Sequence, residues 1–286
     1  MTAIRTYLPM PSLRGMVAFF WTATPTASET AKQIVRLMPD GKPGMILQHH
    51  NGQAVYKNLS GSLPVLFVYG QATAPCLNFS DMPAKILGVT FEPLALRKLF
   101  GVSASEFTNN AFDLQLIDRS IENRLLNLST DAKKIQLLSR YFLSKLRVLS
   151  TKEKLIENSA YGIEMTLGKN QVNSLHKIYG FSERNFERTF KDVIGLTPYQ
   201  YSRIIRFQHA VRVLQAGKRE SHARLSYELG YSDQSHYIRD FKEFSGLTPG
   251  NYELNVKEVI EHLPRSTPLS EKQGILPVRM ISHRQL

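Results

Sequence analysis

Residues 230–249 read Gly230-Tyr231-Ser232-Asp233-Gln234-Ser235-His236-Tyr237-Ile238-Arg239-Asp240-Phe241-Lys242-Glu243-Phe244-Ser245-Gly246-Leu247-Thr248-Pro249. An earlier stretch, residues 180–198, runs Gly180-Phe181-Ser182-Glu183-Arg184-Asn185-Phe186-Glu187-Arg188-Thr189-Phe190-Lys191-Asp192-Val193-Ile194-Gly195-Leu196-Thr197-Pro198. Both keep Gly-aromatic-Ser, then Phe-Lys, then Gly-Leu-Thr-Pro, and differ by one residue near the helix start. Self-similarity of this kind marks one structural unit used twice. The leading glycine follows a short apolar-periodic run, Leu175–Tyr179 or Leu225–Leu229, where a left-handed residue ends a helix. Ser182 and Ser232 fit as N-caps of the next helix. Gly195 and Gly246 close that helix, and Thr197-Pro198 and Thr248-Pro249 open another, with proline at its first position. Two short helices around a tight glycine turn form a helix-turn-helix.

The second helix of each unit is two-faced. Phe186, Phe190 and Val193, and in the later unit Tyr237, Phe241 and Phe244, recur at i, i+4 and i+7 and face a core. The opposite faces carry Arg184, Glu187 and Arg188 in one unit and Gln234, Ser235, Ile238 and Arg239 in the other. Most of these are residue types that read base edges in the major groove; the alternative is a plain solvated face. Between the units, Pro198 to Leu214 reads as one helix of about 25 Å. That rod, with the packing at its ends, suits two recognition helices about one DNA turn (~34 Å) apart.

On these motifs residues 155–254 resemble the DNA-binding domain of AraC/XylS-type transcription regulators. Gly88-Val89-Thr90-Phe91-Glu92-Pro93, Leu99-Phe100-Gly101-Val102 and Phe112-Asp113-Leu114 are similar to the sensor region of some of them. The resemblance implies a sensing or dimerising domain joined to a DNA-binding domain, with double-stranded DNA, a small-molecule effector, a second copy of the chain and RNA polymerase as partners, and with activation as the expected mode.

The rest of the chain agrees with two domains of an α+β class. Residues 1–91 read as β structure, barrel-like in expectation: Val65–Tyr69 and Ile86–Phe91 are apolar runs broken by turn formers. Pro39-Asp40-Gly41-Lys42-Pro43-Gly44 is a turn, and Asn51-Gly52 suits a type I′ hairpin tip. From residue 92 to 150 the period becomes helical: Leu94–Phe100 stopped by Gly101, a second start at Ser103–Phe107, and two helices within 118–149 broken at Ser129-Thr130-Asp131. The stripe Ile135, Leu138, Tyr141, Phe142, Leu146 and Leu149 serves either packing on the β domain or a dimer. Ser150–Lys154 reads as the linker between a 1–150 sensing or dimerisation domain and the helical domain, and residues 264–286 as a mobile tail.

The chain is basic, with a formal charge of +12 and a pI of about 9.7. Such a surplus suits a polyanionic partner. It is not concentrated where the motif lies, since residues 1–150 hold sixteen basic against nine acidic side chains and residues 151–255 fifteen against twelve. The motif therefore carries the argument, with Arg203, Arg206, Arg212, Lys218 and Arg219 as local phosphate contacts. A lone cysteine, Cys76, cannot form an internal disulfide and reads as a buried structural thiol, which fits a reducing cytoplasm. No leader-like N-terminus and no membrane-length apolar run is present in the sequence. His49 and His50 are adjacent and point to opposite sides of a strand, a poor metal pair, so neither metal nor cofactor is expected. No phosphate loop or hydrolase signature is visible, and no enzyme activity is expected. The competing reading is an enzyme or repair domain delivered to DNA by the helical domain.

Overall fold

A computed structural model describes residues 3–24, 33–82, 84–169, 175–178, 180–216, 221–260 and 281–282. In chain order the first part contains β1 (Ala3–Tyr7), β2 (Val17–Thr24), β3 (Gln33–Leu37), β4 (Gly44–His49), β5 (Lys57–Asn58), β6 (Gly61–Ser62), β7 (Leu66–Tyr69), β8 (Cys76–Ser80), β9 (Lys85–Phe91), α1 (Ala95–Phe100), β10 (Ala111–Asp113), α2 (Ile121–Leu126) and α3 (Asp131–Lys145). The strands form two sheets, β1-β2-β9-β4-β7-β10 and one ordered β3-β8-β5-β6, with the short strand β11 (Ile281–Ser282) on the outer side of β3. The two sheets do not close into one ring, which corrects the barrel-like expectation. Their inner faces, carrying Trp21, Ile46, Phe67 and Ile86 from one sheet and Leu37 and Asn78 from the other, enclose a small cavity between them. Of the tail, only Ile281–Ser282 is described; the rest of residues 264–286 lies outside the described residues.

Local chemistry sets these elements as the sequence suggests. Asn51 (φ 51°) and Gly52 (φ 82°) both take positive φ between His50 and Gln53, the signature of a type I′ turn. Gly101 ends α1 in the left-handed region at φ 66°. Thr130 caps α3 by accepting the Lys133 N–H. Leu138, Tyr141 and Phe142 of α3 are buried against Phe91 and its neighbours, with Ile135 beside them. The stripe is thus used inside the chain. Leu146 is half exposed, and Leu149 packs instead against the helical domain.

The helical part contains α4 (Thr151–Met165), α5 (Leu175–Ile178), α6 (Glu183–Ile194), α7 (Pro198–Gln215), α8 (His222–Glu228), α9 (Gln234–Ser245) and α10 (Pro249–Ile260). The polar stretch Ser150–Lys154 is not a linker. Ser150 accepts the Glu153 N–H while the Glu153 carboxylate accepts the Ser150 N–H, a capping box that starts α4 at Thr151.

The two parts are docked on each other. Met38 and Leu94 of the β domain belong to the same buried cluster as Tyr201, Ile204 and Ile205 of α7. At that seam Lys42, its side chain 2% exposed, is ion-paired with Glu92 of its own domain and lies 3.5 Å from Glu164 of α4. Tyr201 donates its hydroxyl to Glu164 at 2.5 Å, and Gln208 donates to the Pro39 carbonyl at 2.6 Å. Burial disfavours the Lys42 charge, but Glu164, Glu92 and Asp40 outweigh it and hold its pKa above the ordinary lysine value.

At the far end of the seam Arg97 Nε donates to Glu153 at 2.5 Å and Lys98 to Glu157. Burial raises the Glu153 pKa, but hydrogen bonds from Arg97 and Ser150 win and hold it below the ordinary 4.5. A depressed carboxylate stabilises the folded chain above its unfolded pKa, and that stabilisation is lost as pH falls through the folded value. We expect the docking of α4 on α1 to weaken below about pH 4.5. An acid titration followed by amide exchange at residues 151–157 should show the loss in the native chain, and Glu153→Gln should show the loosened state already at neutral pH.

Candidate nucleic-acid interface

Each unit is built as two helices around a left-handed glycine. Gly180 (φ 68°) donates to the Lys177 carbonyl and Phe181 to that of His176; Gly230 (φ 75°) donates to Tyr227 and Tyr231 to Ser226. These paired bonds satisfy the last carbonyls of α5 and α8 and turn the chain sharply into α6 and α9. α6 starts after Ser182, whose side chain makes no capping bond. α9 starts one residue later than its counterpart. Asp233, not Ser232, is its N-cap, accepting the His236 N–H at 2.8 Å, while Ser232 Oγ donates to Asp233. A carboxylate at that position also suits the positive end of the helix dipole. The one-residue difference in length between the repeats was the signal for this shift. Gly195 (φ 96°) and Gly246 (φ 76°) end α6 and α9. Thr197 and Gln200 form a capping box ahead of Pro198, and Thr248 accepts the Asn251 N–H.

Phe186, Phe190 and Val193 of α6, and Tyr237, Phe241 and Phe244 of α9, are buried in one continuous cluster bridged by α7. α7 has 18 residues, a rod of about 27 Å. The opposite faces stay open. Arg184, Glu187 and Arg188 on α6 and Gln234, Ser235 and Arg239 on α9 are exposed, whereas Ile238 is half-buried against the core. Arg188 receives no carboxylate partner from its own helix; its guanidinium donates to the Asn185 side chain at 3.1 Å. Arg239 Nε donates to the Ser235 carbonyl at 3.4 Å.

Three arginines read as phosphate contacts turn inward. Arg203 is clamped by Asp240 and Glu243, with Nη2 2.6 Å from an oxygen of each, and lies over the Phe244 ring. Although burial opposes it, the hydrogen bonds from Arg203 to Asp240 and Glu243 push its pKa up. Arg206 is buried over Tyr231, 4.7 Å from the ring centroid. Burial pushes the Arg212 pKa down, and its Nε bonds the Gln208 carbonyl. Arg203 and Arg206 thus tie α7 to the second unit. Lys218 and Arg219 lie outside the described residues. Cys76 is half-buried beside Asn78, and burial raises its pKa. Among the described residues no cluster of ligating side chains and no membrane-length apolar helix is found.

A family described as a helix-turn-helix domain matches residues 175–255, and a domain of unknown function (DUF6597) matches residues 5–113. An uncharacterized HTH-type transcriptional regulator, YisR, of Bacillus subtilis is 25% identical over 169 residues, 59% of this chain and 58% of that protein. The MmsAB operon regulatory protein of Pseudomonas aeruginosa is 26% identical over 99 residues, 35% of this chain and 32% of that one. The chain thus spans between about a third and three-fifths of these relatives' lengths. Among solved structures, ToxT from Vibrio cholerae aligns at 11% identity over 82% of this chain and 98% of its own, with a TM-score of 0.45. Two helix-turn-helix units on a shared rod, with open outer faces, make up the region that the helix-turn-helix family matches. The chain thus carries a helix-turn-helix domain over residues 175–255 and is similar to HTH-type transcriptional regulators.

Proposed function

We propose that the chain is a sequence-specific regulator of transcription that reads two adjacent major-groove segments of duplex DNA, one with α6 and one with α9. The observation that carries this is the duplicated unit: two recognition helices of one construction, each core-anchored on one face and open on the other. Residues 155–254, together with the capping turn from Ser150, are the DNA-binding part, and residues 1–150 the sensing or dimerising part. Arg188 and Arg239 pair with guanine, Gln234 and Ser235 read neighbouring edges, and Glu187 accepts from cytosine N4. Arg184 sits at the first turn of α6, where backbone phosphate is within reach. Ile238 contributes at most an apolar edge, being half-buried.

The cavity between the sheets supports control by a small molecule. Its free volume, about 30 Å³, holds roughly one water, so an effector must spread the sheets to enter. Trp21, Phe67, Ile86 and Leu37 make the lining mostly apolar, and the buried Trp21 N–H has no partner among the described residues. An apolar compound with one acceptor group suits it. A homodimer, contact with RNA polymerase, activation and a cytoplasmic location complete the reading; the buried stripe of α3 is occupied within the chain, so a dimer would use another face.

Titrating the full chain with duplex DNA of a selected site, over a range of salt, tests the proposal. Affinity should fall steeply with salt as counterions are released. Arg188→Ala and Arg239→Ala should each cost about 1–3 kcal/mol at one base position. Glu187→Ala should relax specificity at one position while leaving non-specific affinity equal or higher, because a carboxylate near phosphate repels it. Uniform weakening on all sequences by the arginine variants would make those residues phosphate contacts and refute the assigned faces.

A further inference from the structure

The β domain reaches the C-terminal end of both recognition helices, but in different ways. At α6 the contact is broad: Thr108 donates to the Gly195 carbonyl at 2.6 Å, and the space beside Gly195 is closed by the Ala104 carbonyl, Thr108 and Gln71. At α9 the β domain presents Arg36, with Pro75 beside it at Gly246. Arg36 of β3 donates Nη1 to the Ser245 carbonyl, in the last turn of α9, at 2.8 Å. The guanidinium fits because residue 246 is glycine: a Cβ there would lie 2.5 Å from Arg36 Nη1. Ser245 itself is fully buried, and its hydroxyl is engaged by Phe241 and Leu247. A fixed cation at a helix C-terminus is also favoured by the dipole.

We infer that Arg36 is a positioning residue for DNA reading by the second unit. It sets the tilt of α9 against the β domain, while α6 is held independently through Thr108. The strand that carries it also lines the cavity: Leu37 faces inward, and Arg36, the next residue along an alternating strand, faces α9. Spreading of the sheets therefore moves the anchor of α9 and leaves that of α6 in place.

This inference rests on the proposed DNA reading, and the test separates the two. Full-length native chain, Arg36→Ala and Arg36→Lys are compared on the selected DNA site and on variants of it carrying single base changes under α6 or under α9. Arg36→Ala is expected to lose at least fivefold of its discrimination at the α9 bases and none at the α6 bases, and Arg36→Lys, which keeps the cation, to recover part of it. Amide exchange without DNA should quicken at Gly246 and Leu247 and stay unchanged at Gly195. If the native chain discriminates bases but Arg36→Ala discriminates equally well, or loses both segments alike, the positioning role is overturned while the DNA reading stands. A native chain that shows no base discrimination overturns both.

Discussion

Phe190→Ala and Phe241→Ala will each destabilise the chain by about 3–5 kcal/mol, the cost of emptying a packed aromatic site. Both rings are essentially inaccessible, at 0% and 1% exposure. Phe190 sits between Phe186 and Tyr201, with ring centroids 5.9 Å from each. Phe241 has Phe207 at 5.1 Å and Tyr252 at 5.4 Å. α6, α7, α9 and α10 converge on these rings. Thermal and denaturant unfolding measure the loss. A variant with an unchanged melting temperature and abolished DNA binding would place the ring on the DNA-facing side and contradict the core assignment.

The second large effect is expected at the seam between the domains. Glu164→Ala should cost about 1–3 kcal/mol, because a buried lysine loses one of its carboxylates and a buried hydroxyl is left without an acceptor. Lys42 would keep Glu92 but lose the carboxylate from α4, and the Tyr201 hydroxyl would lose its acceptor. Glu164→Gln, which can still accept from the Tyr201 hydroxyl but carries no charge, should recover part of the loss. Denaturant unfolding of the two variants measures both effects. A Glu164→Ala chain as stable as the native one would mean that the lysine finds water and that the seam opens in solution.

The helical half was legible because its signals are local. Gly180, Gly195, Gly230 and Gly246 punctuate the helices where only a left-handed residue serves, and the phenylalanines repeat at helical spacing. The Asn51-Gly52 turn and the Gly101 stop were legible for the same reason. What the chain hides is long-range pairing. Lys42 stands in a Pro-Asp-Gly-Lys-Pro-Gly turn and reads as solvated, yet it is buried because Glu92 and Glu164 arrive from distant elements. Arg203, Arg206 and Arg212 look like phosphate contacts on a basic helix, but Asp240, Glu243 and Tyr231 meet the first two from the second unit and burial holds the third. Ser150-Thr151-Lys152-Glu153 carried a capping-box spacing within what its polarity presents as a linker. The base-facing residues lie between these extremes: helical periodicity puts Arg188 and Arg239 on the open face, and only the packing shows Ile238 half withdrawn from it.

Selection of bound sequences from fragmented genomic DNA by the full chain, repeated with Arg188→Ala and Arg239→Ala, tests the central claim most directly. The native chain should enrich a site with two short blocks whose centres lie about 10–10.5 base pairs apart, the spacing of adjacent major grooves on one face of the duplex. Each arginine variant should erase information in one block and leave the other intact. Enrichment of a single block, or of no sequence at all, would contradict the reading of DNA by two recognition helices on one rod.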